Sequence, residues 1–127
     1  MAVQILIIDD QRLELETVQL ALQKRGYRVH IALSGEAALK RCESLTPDVI
    51  VIDLLMPGMD GLQTIAEFRL RNTTAKIIAV SGMGGMDRYS LLAIAAKMGA
   101  NRAIPKPILA NELEILIAEM LSTKGAD

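Results

Sequence analysis

Aromatic side chains are almost missing from this sequence: Tyr27, Phe68 and Tyr89 are the full set among 127 residues, although 51% of the chain is hydrophobic. A core with so few rings must be packed from Val, Ile, Leu, Ala and Met, which suits helices laid on a buried parallel sheet. It also leaves little to stack on a flavin ring. No sign of charge dominates, since 14 basic residues face 15 acidic ones and the formal net charge is -1. No segment concentrates Lys and Arg, so electrostatics make no case for nucleic acid or a membrane surface. The single cysteine, Cys42, has no internal disulfide partner, which points to a reducing, intracellular setting. No apolar run approaches the ~18 residues of a membrane span, and no basic stretch followed by a long apolar run opens the chain. A cytoplasmic location is therefore expected. Repeats, low-complexity tracts and internal linkers are missing too, and the length suits one compact domain.

What is present is a regular alternation of short apolar runs with helical patterns. Val3–Ile8 reads as a first strand running into Asp9, and Gln11–Arg25 as a helix with Leu15, Val18, Ala21 and Leu22 at helical spacing, stopped by Gly26. Arg28–Ala32 is a second strand. Ser34 is the expected N-cap of a helix reaching Ser44, with an incomplete capping box because Ala37 occupies its far position. Val49–Ile52 is β-branched throughout, as a central strand buried on both faces should be. It ends at Asp53, and the loop Leu54–Asp60 leads to a helix over Gly61–Arg71. Lys76–Val80 is a fourth strand ending at Ser81. Asp87–Met98 is a fourth helix stopped by Gly99, Arg102–Ile104 a short fifth strand, and Leu109–Leu121 a last amphipathic helix. Five such units are too few for an eight-stranded barrel. Right-handed crossovers then favour an α/β fold: an open, doubly wound, five-stranded parallel sheet with helices on both faces.

The chemistry gathers where strands end. Asp9 and Asp10 close the first strand, Asp53 the third and Ser81 the fourth, and Lys106 follows the fifth. In an open α/β sheet these points share the edge at which ligands bind. Converging carboxylates repel one another unless a cation joins them, and an oxygen-only ligand set suits Mg²⁺ rather than zinc. A lysine nearby would offset charge and grip an oxyanion. These are the parts of a site for phosphoryl transfer onto a carboxylate, with Asp53, alone at the end of the central strand, as the nucleophile. Each residue taken singly reads as a solvated loop residue or a helix cap; the ordered combination does not.

Asp9-Asp10, the stretch from Asp53 through Leu54, Leu55, Met56, Pro57, Gly58, Met59 and Asp60 to Gly61, then Ser81, Gly99-Ala100 and Lys106-Pro107 resemble the receiver domain of two-component response regulators. The resemblance covers nearly the whole chain. It implies a flavodoxin-like sheet of order 2-1-3-4-5, with the receiver over residues 1–121 and residues 122–127 as a flexible tail or linker stub. It also implies that Asp53 is the phosphoacceptor, Ser81 the switch hydroxyl and Lys106 the phosphate contact. Mg²⁺ would be held by Asp9, Asp10, Asp53 and the backbone carbonyl of Leu55. The Lys106–Pro107 bond would be cis and aim the lysine inward. The donor would be a phosphohistidine on a histidine kinase or phosphotransfer protein. Output would pass to a downstream protein target or effector domain, with a phosphorylation-dependent dimer as a further partner state. Such a chain promotes its own phosphorylation and dephosphorylation and is not a turnover enzyme.

Three departures from the family pattern stand out. Ala103 occupies the fifth-strand position where Tyr or Phe is usual, so the hydroxyl–aromatic coupling cannot operate and output must rely on backbone or helix movement. The Ser81–Lys106 interval is a few residues longer than the family pattern, the surplus falling in Gly82–Met86, and Ile108 stands where Phe is common. The lost aromatic keeps open a phosphorylation-independent pseudo-receiver that only binds. An aspartate-nucleophile phosphatase would carry an acid two residues after the nucleophile, where this chain has Leu55. Gly82–Gly85 lacks the GK[ST] ending of a P-loop and reads as a hinge. His30 is expected at the surface or against a helix, and Cys42 as a small packing residue. Met83, Met86 and Met98 divide between core filling and a partner surface, and Leu55 and Met83 fall, by resemblance, beside the path of attacking water.

Overall fold

The computed structural model describes residues 2–55, 60–82 and 88–122. Strands and helices alternate along the chain: β1 (Gln4–Ile8), α1 (Arg12–Lys24), β2 (Arg28–Ala32), α2 (Gly35–Arg41), β3 (Val49–Asp53), α3 (Gly61–Leu70), β4 (Lys76–Ser81), α4 (Arg88–Met98), β5 (Arg102–Pro105) and α5 (Ala110–Ser122). The strands form one parallel sheet in the order β2-β1-β3-β4-β5, as expected.

The two-residue period of the strands sorts the aliphatic runs onto the two faces. Ile5 and Ile7, Val49 and Val51, Ile78 and Val80 point to one side, where Leu15, Val18 and Leu22 of α1 and Leu113, Ile117 and Met120 of α5 cover them. Leu6 and Ile8, Ile50 and Ile52, Ile77 and Ala79 point to the other, against Ala38 and Leu39 of α2, Ile65 and Phe68 of α3 and Ala95 of α4. Every residue of β3 is buried, which is why that strand reads as an unbroken apolar run and not as an alternation. Cys42 is a partly buried packing residue at the edge of the second cluster, as anticipated.

Several boundaries differ from the sequence reading. The second helix stops at Arg41 and not at Ser44. Beyond it the backbone tightens, with Glu43 and Ser44 donating to carbonyls three residues back, and Pro47 lies just ahead. Ser34 caps it as expected, its Oγ accepting from the Ala37 N–H. A reciprocal box that the sequence reading passed over opens α3: Asp60 Oδ1 accepts from the Gln63 N–H, while Gln63 Oε1 accepts from the Asp60 N–H. The last helix runs through Ser122, one residue further than expected. The expectations for Met83, Met86, the surplus residues after Gly82 and the tail beyond Ser122 lie outside the described residues.

One partly buried cation ties the later elements together. Arg69 of α3 donates to the carbonyls of Thr73, Ala75 and Gly99 and to Asn101 Oδ1, which also accepts from the Ile77 N–H. Gly99 has φ +122°, and a Cβ there would collide with the Arg69 side chain. The end of α4 is thereby fixed against α3 and the sheet. His30, on edge strand β2, meets both a strand and a helix. An arginine can only donate, so Arg41 donates to Nδ1 at 3.0 Å, and Nε2–H donates to Gln4 Oε1 at 2.7 Å. Burial, then the charges of Arg41 and Arg28, hold the imidazole below its usual 6.5.

Phe68 is the only buried aromatic among the described residues, at 1% exposure, and Phe68→Ala should cost about 3–5 kcal/mol of stability. That is read as a lower urea midpoint with the slope unchanged. For His30 the folded state favours the neutral ring, so its contribution is complete above the unfolded value of about 6.5 and is lost as pH falls below it. His30→Gln should therefore flatten the acid side of the stability profile, measured as midpoints at pH 5 and pH 7.

Candidate functional site

The strand order places β1 and β3 side by side at the sheet centre while α1 and α3 leave on opposite faces. The crevice at their C-terminal ends is the switch point of the sheet. Asp9 and Asp10 follow β1 there, and Asp53 is the last residue of β3. Ser81 ends the neighbouring β4, and Lys106 follows β5, held in place by its own N–H donating to the Ser81 carbonyl at 2.9 Å. All five side chains named from the sequence thus reach one edge.

Their contacts are specific. Lys106 Nζ donates to Asp53 Oδ2 at 3.0 Å and stands 3.4 Å from Asp9 Oδ2. The remaining oxygens are held by backbone: Leu55 N–H donates to Asp53 Oδ1 and Gln11 N–H to Asp9 Oδ1, both at 3.0 Å. The Gln11 bond lets Asp9 satisfy a free donor where α1 begins. Ser81 is buried, and its hydroxyl donates to the adjacent Gly82 carbonyl at 3.3 Å. The Lys106–Pro107 bond is cis. His30 lies away from this edge.

A family description, the response regulator receiver domain, matches residues 5–118. The response regulator MprA of Mycobacterium ulcerans is 33% identical over 113 residues, which are 89% of this chain and 47% of that protein. MprA of Mycobacterium sp. strain KMS is 30% identical over all 127 residues and 54% of its own length. The chain therefore spans about half the length of these curated relatives. Among solved structures, a CheY-like receiver domain protein from Methanospirillum hungatei superposes with a TM-score of 0.88 at 26% identity, covering 99% of this chain and 98% of its own. A receiver domain protein from Clostridium thermocellum gives 0.85 at 27% identity, covering 98% of each. The chain belongs to the response regulator receiver domain family.

Within this receiver, electrostatics set the state of the site. Burial is the largest influence on the Asp9 carboxyl and pushes it up; the Gln11 N–H opposes, Asp53 adds to the rise and Lys106 again opposes. Burial pulls the Lys106 ammonium down, but the hydrogen bond and charge of Asp53, then those of Asp9, outweigh it and leave it raised. One lysine faces three carboxylates, and Asp9, Asp10 and Asp53 offer oxygens all within 4.8 Å of one another. Asp9 Oδ2 is buried and meets no aligned hydrogen-bond donor among the described residues. A buried carboxylate oxygen with a 3.4 Å ion pair but no hydrogen bond, beside two other carboxylates, is what a cation would satisfy. Opposite ligands on Mg²⁺ stand about 4 Å apart, so this hard-oxygen set closes on such an ion with little movement.

The aromatic-free fifth strand is visible as well. Ala103 is half-buried on β5, and beside it lies a cavity of about 310 Å³ lined by Ala96, Ala100, Asn101, Arg102 and Ala103. Ile108 packs partly buried against the α1–α5 side. Leu55 is half-exposed beside Asp53, whereas Met83 falls outside the described residues.

Gly61, which opens the third helix and closes the Asp53–Gly61 motif, supports the site directly. Its backbone lies so close to Asp53 and Leu54 that any Cβ would overlap the Asp53 carbonyl oxygen. A glycine opening a helix just after an acidic loop was the available signal. Gly61→Ala should displace α3 from the end of β3. A loss of stability of about 2 kcal/mol or more in urea unfolding is expected.

Proposed function

We propose that Asp53 is the phosphoacceptor of a Mg²⁺-dependent two-component switch. The observation carrying this reading is the Asp53 carboxylate held between the Leu55 N–H and Lys106 Nζ, beside an Asp9 oxygen that no hydrogen bond satisfies. Asp53 attacks phosphorus in line, a P–O bond forms, and the P–N bond of a donor phosphohistidine breaks with its electron pair passing to the imidazole. Lys106 keeps a phosphoryl oxygen in place by charge and hydrogen bonding. Ser81 must leave the Gly82 carbonyl to donate to the new phosphoryl group, which makes it the hydroxyl that senses phosphorylation. Asp9, Asp10, Asp53 and the Leu55 carbonyl would hold Mg²⁺, which when bound neutralises charge on the transferring group.

The donor on this reading is a histidine kinase or a histidine phosphotransfer protein in the cytoplasm. The receiver unit is residues 1–121, with 122–127 as tail or linker stub. Output goes to a protein target or an effector domain through α4, β5 and α5, by contact or by a phosphorylation-dependent dimer. With Ala103 in place of an aromatic, that output relies on backbone or helix movement. The same alanine is the one feature that favours a phosphorylation-independent pseudo-receiver.

Incubation with Mg²⁺ and acetyl phosphate should add one phosphoryl group to the intact mass. Asp53→Ala and chelation of the metal should each abolish the gain. A folded, unlabelled wild-type protein under all conditions would favour the pseudo-receiver.

A further inference from the structure

The ends of α3 and α4 meet the start of β5 at the edge of the sheet opposite Asp53, because each helix returns the chain to the N-terminal end of the next parallel strand. Arg69 holds this corner together, donating to the Gly99 carbonyl at 2.9 Å and to Asn101 Oδ1 at 3.0 Å. Leu70, Arg71, Lys97, Met98 and Arg102 therefore lie one or two positions from groups that a single guanidinium joins. Leu70 is 76% exposed and Met98 41%, although both are large and apolar. Met98, which the sequence left between core filling and a partner surface, is thus at the surface. Cations surround the pair. Arg71 is matched to Glu67 at 3.3 Å, whereas Lys97 and Arg102, both exposed, meet no carboxylate among the described residues. Arg69 itself meets only neutral acceptors. Positive charge is therefore in excess on these three segments. The cavity of about 310 Å³ shares Asn101 and Arg102 with the corner and gives it a recess lined by Ala96, Ala100 and Ala103.

Two such corners face to face would oppose like charges, which disfavours an isologous pair of this chain. An anionic membrane surface is recognised by clusters of about four to eight Lys and Arg. Arg71, Lys97 and Arg102 fall short of that. Exposed apolar side chains beside a recess, rimmed by cations, are instead the pattern of a protein interface, where Met and Arg are enriched and a few anchors carry most of the affinity. We propose that this corner docks an acidic protein segment that lays an apolar side chain against Leu70 and Met98, and that it does so whatever the state of Asp53. Independence follows from position. Lys76 and Ser81 mark the two ends of β4, about 17 Å apart at the rise of a strand. Arg69 fixes the near end without using any residue of the phosphoaccepting site. A partner held here stays bound before and after phosphoryl transfer, and the inference does not rest on the phosphoaccepting role of Asp53.

Amide chemical shifts of the isotope-labelled full chain test this with three probes. They are a helical peptide with leucines one turn apart flanked by glutamates, the same peptide with lysines replacing the glutamates, and vesicles of phosphatidylserine and phosphatidylcholine. The glutamate peptide should shift the amides of Leu70, Arg71, Lys97, Met98 and Arg102, and should bind more weakly as salt approaches about 1 M. Leu70→Gln should weaken that binding about tenfold, the effect of losing one leucine contact. Leu20→Gln, at an exposed leucine of α1, should leave it unchanged. Lys97→Glu combined with Arg102→Glu should remove the salt-dependent part. Adding Mg²⁺ and acetyl phosphate at constant ionic strength should not alter the affinity. No shifts at the corner, equal binding of the lysine peptide, binding to vesicles alone, or an equal loss in Leu20→Gln would overturn the docking inference while leaving the chemistry at Asp53 untouched. An affinity that changes with acetyl phosphate would overturn its independence of Asp53.

Discussion

Buried like charge is the constraint around which this receiver is organised. Asp9 and Asp53 end adjacent central strands, are 1% and 4% exposed, and are answered by a single ammonium. Carboxylates withdrawn from water are costly unless paired and hydrogen-bonded. The chain meets that cost with Lys106 and with backbone N–H groups from Gln11 and Leu55, yet Asp9 Oδ2 has only the Lys106 charge at 3.4 Å and no aligned hydrogen bond. The fold thus carries a local electrostatic deficit at the point where its topology opens a crevice. Binding a cation or an oxyanion there changes the energy of the native state itself, which is the physical requirement for a switch.

The rest of the structure makes that deficit tolerable. Two aliphatic clusters, one on each face of the sheet, hold β1, β3 and β4 rigidly and supply the stability that an unsatisfied site consumes. Gly61 lets α3 close directly onto the backbone of Asp53 and Leu54. Arg69 performs the corresponding task at the end of α4, where it gathers carbonyls from the segment after α3 and from Gly99. Arg69 thus ties the starts of β4 and β5 to α3 at the opposite edge of the sheet, while Gly61 anchors α3 at the C-terminal edge. Movement on that edge is then left to side chains such as Ser81, whose hydroxyl is held by one long hydrogen bond to a neighbouring carbonyl.

On the proposed reading, Ala103 gives this receiver a different signalling face from the family pattern. The half-buried alanine leaves β5 itself without a ring, and an open volume lies beside it. On the proposed reading, the change at Ser81 must therefore travel through the backbone of β4 and the packing of α4. Arg69 holds the far end of that helix. Coupling of this kind depends on how α4 packs and not on one rotamer.

Much of this was legible in the sequence because strand periodicity and residue chemistry are local. The β-branched run Val49–Ile52 declared a strand covered on both faces, and the acids, serine and lysine closing successive runs declared a shared edge. The order of the strands came instead from the resemblance of those motifs to a family, since hydropathy says which faces are apolar but not which strand lies beside which. Tertiary structure alone decided the rest: that Arg69 reaches four acceptors, that the Gly61 backbone lies on Asp53, that Asp9 keeps one oxygen unsatisfied, and that α2 tightens before Ser44. Each of these depends on distances between residues far apart in the chain, or on competition for hydrogen-bond partners. The sequence by itself determined what kinds of group would meet at the sheet edge; only packing determined which of them would be satisfied when they met.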